Sequence, residues 1–184
     1  VGTPDGMAVW AVPQLFNWGN YNAKAKKDRA YYEANFRDPT ESEMTAMSLL
    51  HAIMGAKGFV YYSYSDISGE KNAMAKPDFE RRWADICRTA TTIRELEPFL
   101  LSDADGPAVT VDVETGKVMA KGFTDAQGRV CVLVAGIGPD ASGAVLTVSS
   151  AKPLRSVLGK SSALDGARYR FAGTDICADI LMSE

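Results

Sequence analysis

Ala8-Val9-Trp10-Ala11-Val12-Pro13-Gln14-Leu15-Phe16-Asn17-Trp18 and, further on, Gly58-Phe59-Val60-Tyr61-Tyr62-Ser63-Tyr64-Ser65-Asp66 decide the reading of this chain. The first stretch is mostly apolar and alternates weakly, which suits a strand covered on both faces, as in a parallel sheet. Pro13 is unusual within a central strand and marks a bend that re-aims Gln14. The second stretch is rich in aromatic and β-branched residues, which fit a pleated surface. Between the two, residues 17–39 have no clean period and mix Trp18, Tyr21, Tyr31, Tyr32 and Phe36 with charged side chains. A loop of that length inside a compact domain is functional or mobile. A short helical turn is expected over residues 28–35. Thr40-Glu41-Ser42-Glu43 reads as a capping box, with hydroxyl and carboxylate each satisfying the other's backbone N–H. The helix it opens runs to about Met54. Met44, Met47, His51 and Met54 lie on one face as core, with His51 a core or interface histidine. Strand, loop, helix, strand is the order of β/α units that build an active-site rim at the strand ends.

After the second strand a loop is expected over residues 66–77, followed by a long helix capped by Asp78. Phe79, Trp83, Ile86, Ala90 and Ile93 step along it by three and four. Pro98 permits only a short continuation through Leu101. Past Ser102-Asp103-Ala104-Asp105-Gly106-Pro107 the texture changes. Short β-like runs appear at 108–113, 117–121, 130–135, 144–149, 155–158, 169–171 and 176–181, separated by Gly- and Asp-containing turns. Short strands at that spacing predict an antiparallel sandwich. The domains expected are therefore residues 1–104 and 105–184. The second holds only Phe123, Tyr169 and Phe171 as aromatics, which favours a structural cap over an independent sugar-binding module.

The chain has 184 residues, 46% hydrophobic and 23% charged, with a net charge of −3. That balance is ordinary for a globular protein and makes nucleic acid and anionic membranes poor partners. No apolar run reaches the roughly 18 residues of a membrane-spanning helix. Cys87, Cys131 and Cys177 are too few for a disulfide scaffold and read as buried thiols. Cys131 and Cys177 could pair if their strands are neighbours. One histidine and no CxxC leave no metal or cofactor site to expect. Val1-Gly2-Thr3-Pro4 lacks an initiator Met and a basic leader, so a processed product or a fragment is expected.

Three segments together carry a family resemblance: 10–18 (WAVPQLFNW), 37–44 (RDPTESEM) and 55–64 (GAKGFVYYSY). In this order, and followed by a helix ending in Glu97-Pro98-Phe99-Leu100-Leu101, they resemble the C-terminal part of a bacterial glycoside-hydrolase-like TIM-barrel protein. The resemblance implies its last two β/α units and a following β-sandwich. The fold class it implies is α/β plus all-β, a partial (β/α)8 barrel segment followed by a small antiparallel β-sandwich. A whole barrel takes roughly 250 residues. The implied partners are therefore a carbohydrate substrate and either the missing N-terminal barrel part or a second copy, covering the exposed sheet edge. The implied setting is secreted or periplasmic.

In such barrels the reacting groups sit at the C-terminal strand ends. Those ends offer Gln14, Asn17 and Trp18 on the first strand and Tyr62, Tyr64 and Asp66 on the second. Amides bridge sugar hydroxyls by donating and accepting at once, and indole and phenol rings suit the apolar face of a pyranose. Gln14, Asn17, Trp18, Tyr62 and Tyr64 are the expected substrate-binding residues, against core packing as the alternative for the rings. Glycoside hydrolysis needs two carboxyl groups about 5 to 10 Å apart. The first strand ends without an acid, so the acid/base pair is expected at least partly outside this chain. Asp66 is the best catalytic candidate within it, against a loop-capping role. Two alternatives stand beside the hydrolase: a non-catalytic carbohydrate-binding or assembly module, and an unrelated α+β domain whose early strands join the later ones in one sheet.

Overall fold

The structure is a computed structural model and describes residues 7–68, 78–138 and 143–184. Most of the loop expected over 66–77, part of the 136–143 turn and the first residues of the chain lie outside the described residues. The first part of the chain contains β1 (Val9–Ala11), a 3-10 turn (Trp18–Tyr21), α1 (Arg29–Asn35), α2 (Glu41–Ile53), β2 (Ala56–Phe59), α3 (Tyr64–Ile67), α4 (Phe79–Glu95) and α5 (Glu97–Leu100). The rest is extended: β3 (Val109–Asp112), β4 (Lys117–Thr124), β5 (Val130–Ile137), β6 (Ala144–Val148), β7 (Leu154–Ser156), β8 (Ser161–Asp165), β9 (Arg168–Phe171) and β10 (Cys177–Ser183).

Eight strands form two four-stranded antiparallel sheets, in the orders β4-β5-β10-β7 and β3-β6-β9-β8. The β5 sequence, VCVLVAGI, is apolar on both sides, and the packing accounts for it. Val130, Val132 and Val134 meet Leu146, Tyr169 and Phe171 of the second sheet. Cys131, Leu133 and Ala135 face Leu49 and Ile53 of α2 and Ile93 of α4, with Leu96 and Phe99 beyond. The sheet is thus the middle layer of three, and each fully buried Leu, Ile or Phe in it contributes about 2–3 kcal/mol. Cys131 belongs to one face and Cys177 to the other, so neighbouring strands do not bring them together. Both are free thiols. Burial pushes the Cys131 thiol up to about 12.

The expected partial (β/α)8 barrel segment does not form. β1 and β2 are parallel, but they form a sheet of two short strands, extended only by an isolated bridge between Gln14 and Tyr62. Among the described residues no barrel closes, and the fold is a mixed α/β arrangement of small sheets and helices. Two local causes stop the strands. Pro13 has no N–H to continue the ladder. After Tyr62 the chain turns helical at α3, where the Ser63 hydroxyl donates to the Asp66 carboxylate three residues on. The larger cause is α2. In a β/α barrel that helix would cover parallel strands alone, whereas here it meets Phe59 of β2 and also buries Ala46, Leu49, Ala52 and Ile53 in a core shared with β5 and β10. The parallel sheet is left with Val12 58% and Val60 50% exposed. Nor do β1 and β2 join the later strands, as the α+β alternative required.

Candidate functional site

Past the ends of β1 and β2 the chain builds an aromatic cluster around Phe16. The Phe16 ring meets Trp18, Tyr21 and Tyr62 edge-on, at centroid distances of 4.9, 5.3 and 6.2 Å. Such pairs add about 0.5–1.5 kcal/mol beyond area burial and fix ring orientation. Gln14 holds the cluster in place: its Nε2 donates to the Phe16 carbonyl at 2.9 Å and its Oε1 accepts from Trp18 Nε1 at 3.2 Å. The indole is thereby locked while 59% of Trp18 stays exposed.

The neighbouring expected residues have structural partners. Asn17 is buried and caps the 3-10 turn, its Oδ1 accepting from the Gly19 N–H at 2.8 Å. Tyr32 packs directly on Gly19, where an added Cβ would stand 2.6 Å from the ring. Tyr32 also donates to Asn20 Oδ1 at 3.2 Å, and desolvation raises its pKa to about 12. Asp66 is fully buried. Its carboxylate accepts from Tyr21 Oη at 2.8 Å and from Ser63 Oγ, and its carbonyl accepts from Asn20 Nδ2 at 3.0 Å. Desolvation, then the Asp66 carboxylate, raises the Tyr21 pKa, which keeps that phenol a donor. Gln14, Trp18 and Tyr62 therefore come together around Phe16. Tyr64 points elsewhere, edge-on to Phe79 at 5.8 Å and Trp83 at 5.6 Å.

A cavity of about 340 Å³ opens beside Trp18 and Gln14. Its lining also includes Asn17, which was expected to bind substrate, Phe36 and Arg37 at the end of α1, Glu43 and Met47 of α2, and Ile176 ahead of β10. Arg37 grips Glu43 with both terminal nitrogens, at 2.6 and 2.5 Å. Glu43 also closes the capping box, accepting from the Thr40 N–H at 2.8 Å. The Arg37 hydrogen bonds, with help from Thr40, hold Glu43 down to about 2, so it is ionised at neutral pH. Below the rim, Arg82 of α4 is 3% exposed, donates to the Leu15 carbonyl and pairs with Asp38 at 3.2 Å. Burial lowers the Arg82 pKa and raises that of Asp38, each opposed by the other's charge.

No family model, curated protein or solved structure matches this chain. Among the described residues, no group of three His, Cys, Asp or Glu side chains is placed to hold a metal, and no helix is long and apolar enough to cross a membrane. His51 is exposed, with its Nδ1 2.7 Å from the Met47 carbonyl. Phe36, Arg37 and Ile176 went unnoticed as site residues in the sequence. Only Arg37 left a signal there: an arginine just ahead of a capping-box glutamate can reach its carboxylate. Chemically, the cavity offers a fixed indole, a phenyl ring, an ion pair, the amides of Gln14, Asn17 and Asn35, and the apolar side chains of Met47 and Ile176. Glu43 is the one carboxylate lining it among the described residues.

Proposed function

We propose that this chain binds carbohydrate at the Trp18 cavity and supplies one side of the sugar cleft of a glycoside-hydrolase-like protein. The observation that carries the reading is the locked, exposed Trp18 ring beside that cavity. A preorganised indole covers the C–H face of a sugar ring at little entropic cost, while the Arg37–Glu43 pair and Gln14 offer hydrogen bonds to hydroxyls. Cleavage of the glycosidic bond needs a second carboxyl group and one free to exchange a proton. Glu43 is held ionised by Arg37, and Asp66 is enclosed by hydroxyl donors. The acid/base pair is accordingly assigned at least partly outside this chain, and Asp66 to positioning Tyr21 and the turn after β2. That same accounting keeps the non-catalytic carbohydrate-binding module as the second reading.

Calorimetry of the chain against a panel of neutral oligosaccharides tests this. Binding in the micromolar to millimolar range that falls at least about tenfold in Trp18→Ala, with the unfolding midpoint retained, is the expected result. Absence of binding at millimolar sugar, or binding indifferent to Trp18→Ala, overturns the proposal. Turnover of an aryl glycoside by the isolated chain, abolished in Asp66→Asn, would return the catalytic role to Asp66.

A further inference from the structure

The cavity has a contributor from the far end of the chain. Ile176 lies on the short segment 172–176 that joins β9 to β10, yet it lines the same cavity as Trp18 and Phe36. The segment is anchored at both ends. It leaves β9 at Phe171, which is fully buried, and the Ala172 N–H donates to the Lys160 carbonyl at 2.7 Å. It re-enters β10 at buried Cys177, paired with Gly136 of β5. Between those anchors Asp175 takes φ 58°, the one non-glycine residue with positive φ among the described residues. Aspartate is one of the few non-glycine residues that enter this left-handed region readily, so the chain can reverse here without a glycine. Here the reversal immediately precedes Ile176, a large apolar side chain left 41% exposed at the cavity.

We propose that segment 172–176 is a specificity element of this site, and that Ile176 limits the size of the neutral sugar ring that fits beside Trp18 and Phe36. The inference rests on the carbohydrate-binding reading above. Neutrality follows from the charges: the cavity's cation, Arg37, is paired through both terminal nitrogens with Glu43, so its charge is already balanced and offers little net attraction to a sugar carboxylate or sulfate. Asp175 adds a further negative charge that acts on Arg37. Size selection follows from placement: Ile176 is β-branched, with few side-chain rotamers, and stands on a short segment held at both ends, so it bounds the space beside Trp18. Xylobiose and cellobiose differ by the hydroxymethyl group on each ring, so this pair reads the space directly.

The test is calorimetry of wild type, Ile176→Ala, Ile176→Trp and Trp18→Ala against xylobiose, cellobiose and digalacturonate. The wild type is expected to separate xylobiose from cellobiose. Xylobiose should be the tighter ligand of the wild type, and in Ile176→Ala that affinity ratio should shrink at least about fivefold, as the space opened by the shorter side chain admits the larger substituent. Ile176→Trp should weaken both sugars at least about tenfold. Unfolding midpoints confirm that each variant is folded, and if the tryptophan variant is not, Ile176→Ala decides alone. An unchanged ratio in Ile176→Ala, while Trp18→Ala abolishes binding, overturns the role of Ile176 and leaves the binding site standing. Digalacturonate bound more tightly than the neutral sugars overturns the neutral assignment. No binding of any of the three by the wild type overturns the carbohydrate reading itself, and this inference with it.

Discussion

β5 and the stretch from Val9 to Phe16 are both apolar, yet β5 is covered on both faces while the other stretch buries only Ala11, Pro13 and Leu15. Val132, Leu133 and Val134 of β5 are fully buried between a sheet and a helical layer. Val9, Trp10 and Val12 stand at a two-stranded sheet with their side chains at least 37% exposed. Apolar content alone therefore does not say where a strand goes; the layers available to cover it do. The contrast also divides labour. The buried sheet carries the stability, and the short parallel pair carries the aromatic rim that its strand ends position.

The sharpest way to break that division is to cut side chains in both regions. Leu133→Ala should cost about 4 kcal/mol, because a fully buried leucine in a three-layer core leaves a cavity its neighbours cannot fill. Val12→Ala, more than half exposed, should stay within about 0.5 kcal/mol. Urea denaturation measures both. A cost at Val12 near that at Leu133 would mean the parallel pair is buried in solution by something else, and the division would be wrong.

Next in size is the bolt beneath the rim. Arg82→Ala removes the partner of a half-buried carboxylate, Asp38, and the donor to the Leu15 carbonyl, and should cost about 3 kcal/mol. Adding Asp38→Ala to it should recover part of that loss, since the stranded charge is then gone. If the double variant is no better than the single one, the pair is not coupled and the rim is held by packing alone.

How much of this was legible in the sequence differs by region for physical reasons. The Thr40–Glu43 capping box and the helix after it could be read because local chemistry fixes them. From Val109 onward, alternating runs and Gly-containing turns mark most of the strands. β8, Ser-Ser-Ala-Leu-Asp, escaped because it is an exposed edge strand without β-forming residues, held by its hairpin to β9. The barrel expectation failed for a non-local reason. Nothing within α2 says that its apolar residues, besides meeting Phe59 and Tyr61 nearby in the chain, will also cover β5 and β10 far along it. At the site, Gln14, Trp18 and Tyr62 could be picked out as strand-end residues. Ile176 could not, since only the tertiary packing brings the β9–β10 segment to the cavity. Asp66 was legible as an acid at a strand end, but its enclosure by Tyr21 and Ser63 depends on how the 3-10 turn folds back.

That enclosure gives a smaller test. Tyr21→Phe removes one donor to the buried Asp66 carboxylate and should cost about 1–2 kcal/mol, measured by denaturation. It should also loosen the Phe16 cluster, which near-ultraviolet circular dichroism reads through Trp18. Loss of stability without a change in that spectrum would place Asp66 in a local turn only, with no hold on the rim.

The smallest effect, and the most specific to the cavity, is the pH dependence of the Arg37–Glu43 pair. Glu43 falls from an ordinary 4.5 to about 2 in the folded chain, chiefly through the Arg37 hydrogen bonds. A depressed carboxyl contributes stability that is fully present above its unfolded value and lost as pH falls toward its folded one. The pair's contribution should therefore be constant above about pH 5 and fade between 4.5 and 2. Because the Arg37 side chain is 69% exposed, water screens the pair and the whole contribution is under about 1 kcal/mol. Glu43→Gln should remove it at pH 7, together with part of the capping box, and flatten the difference from wild type at pH 2.5. Acid titration of unfolding free energy in both proteins measures this. The same substitution frees the Arg37 fork, so Glu43→Gln should also gain affinity for digalacturonate. A variant that loses stability in the stated window but gains no affinity for the acidic sugar would mean that the pair holds the α2 terminus without setting the charge preference of the cavity.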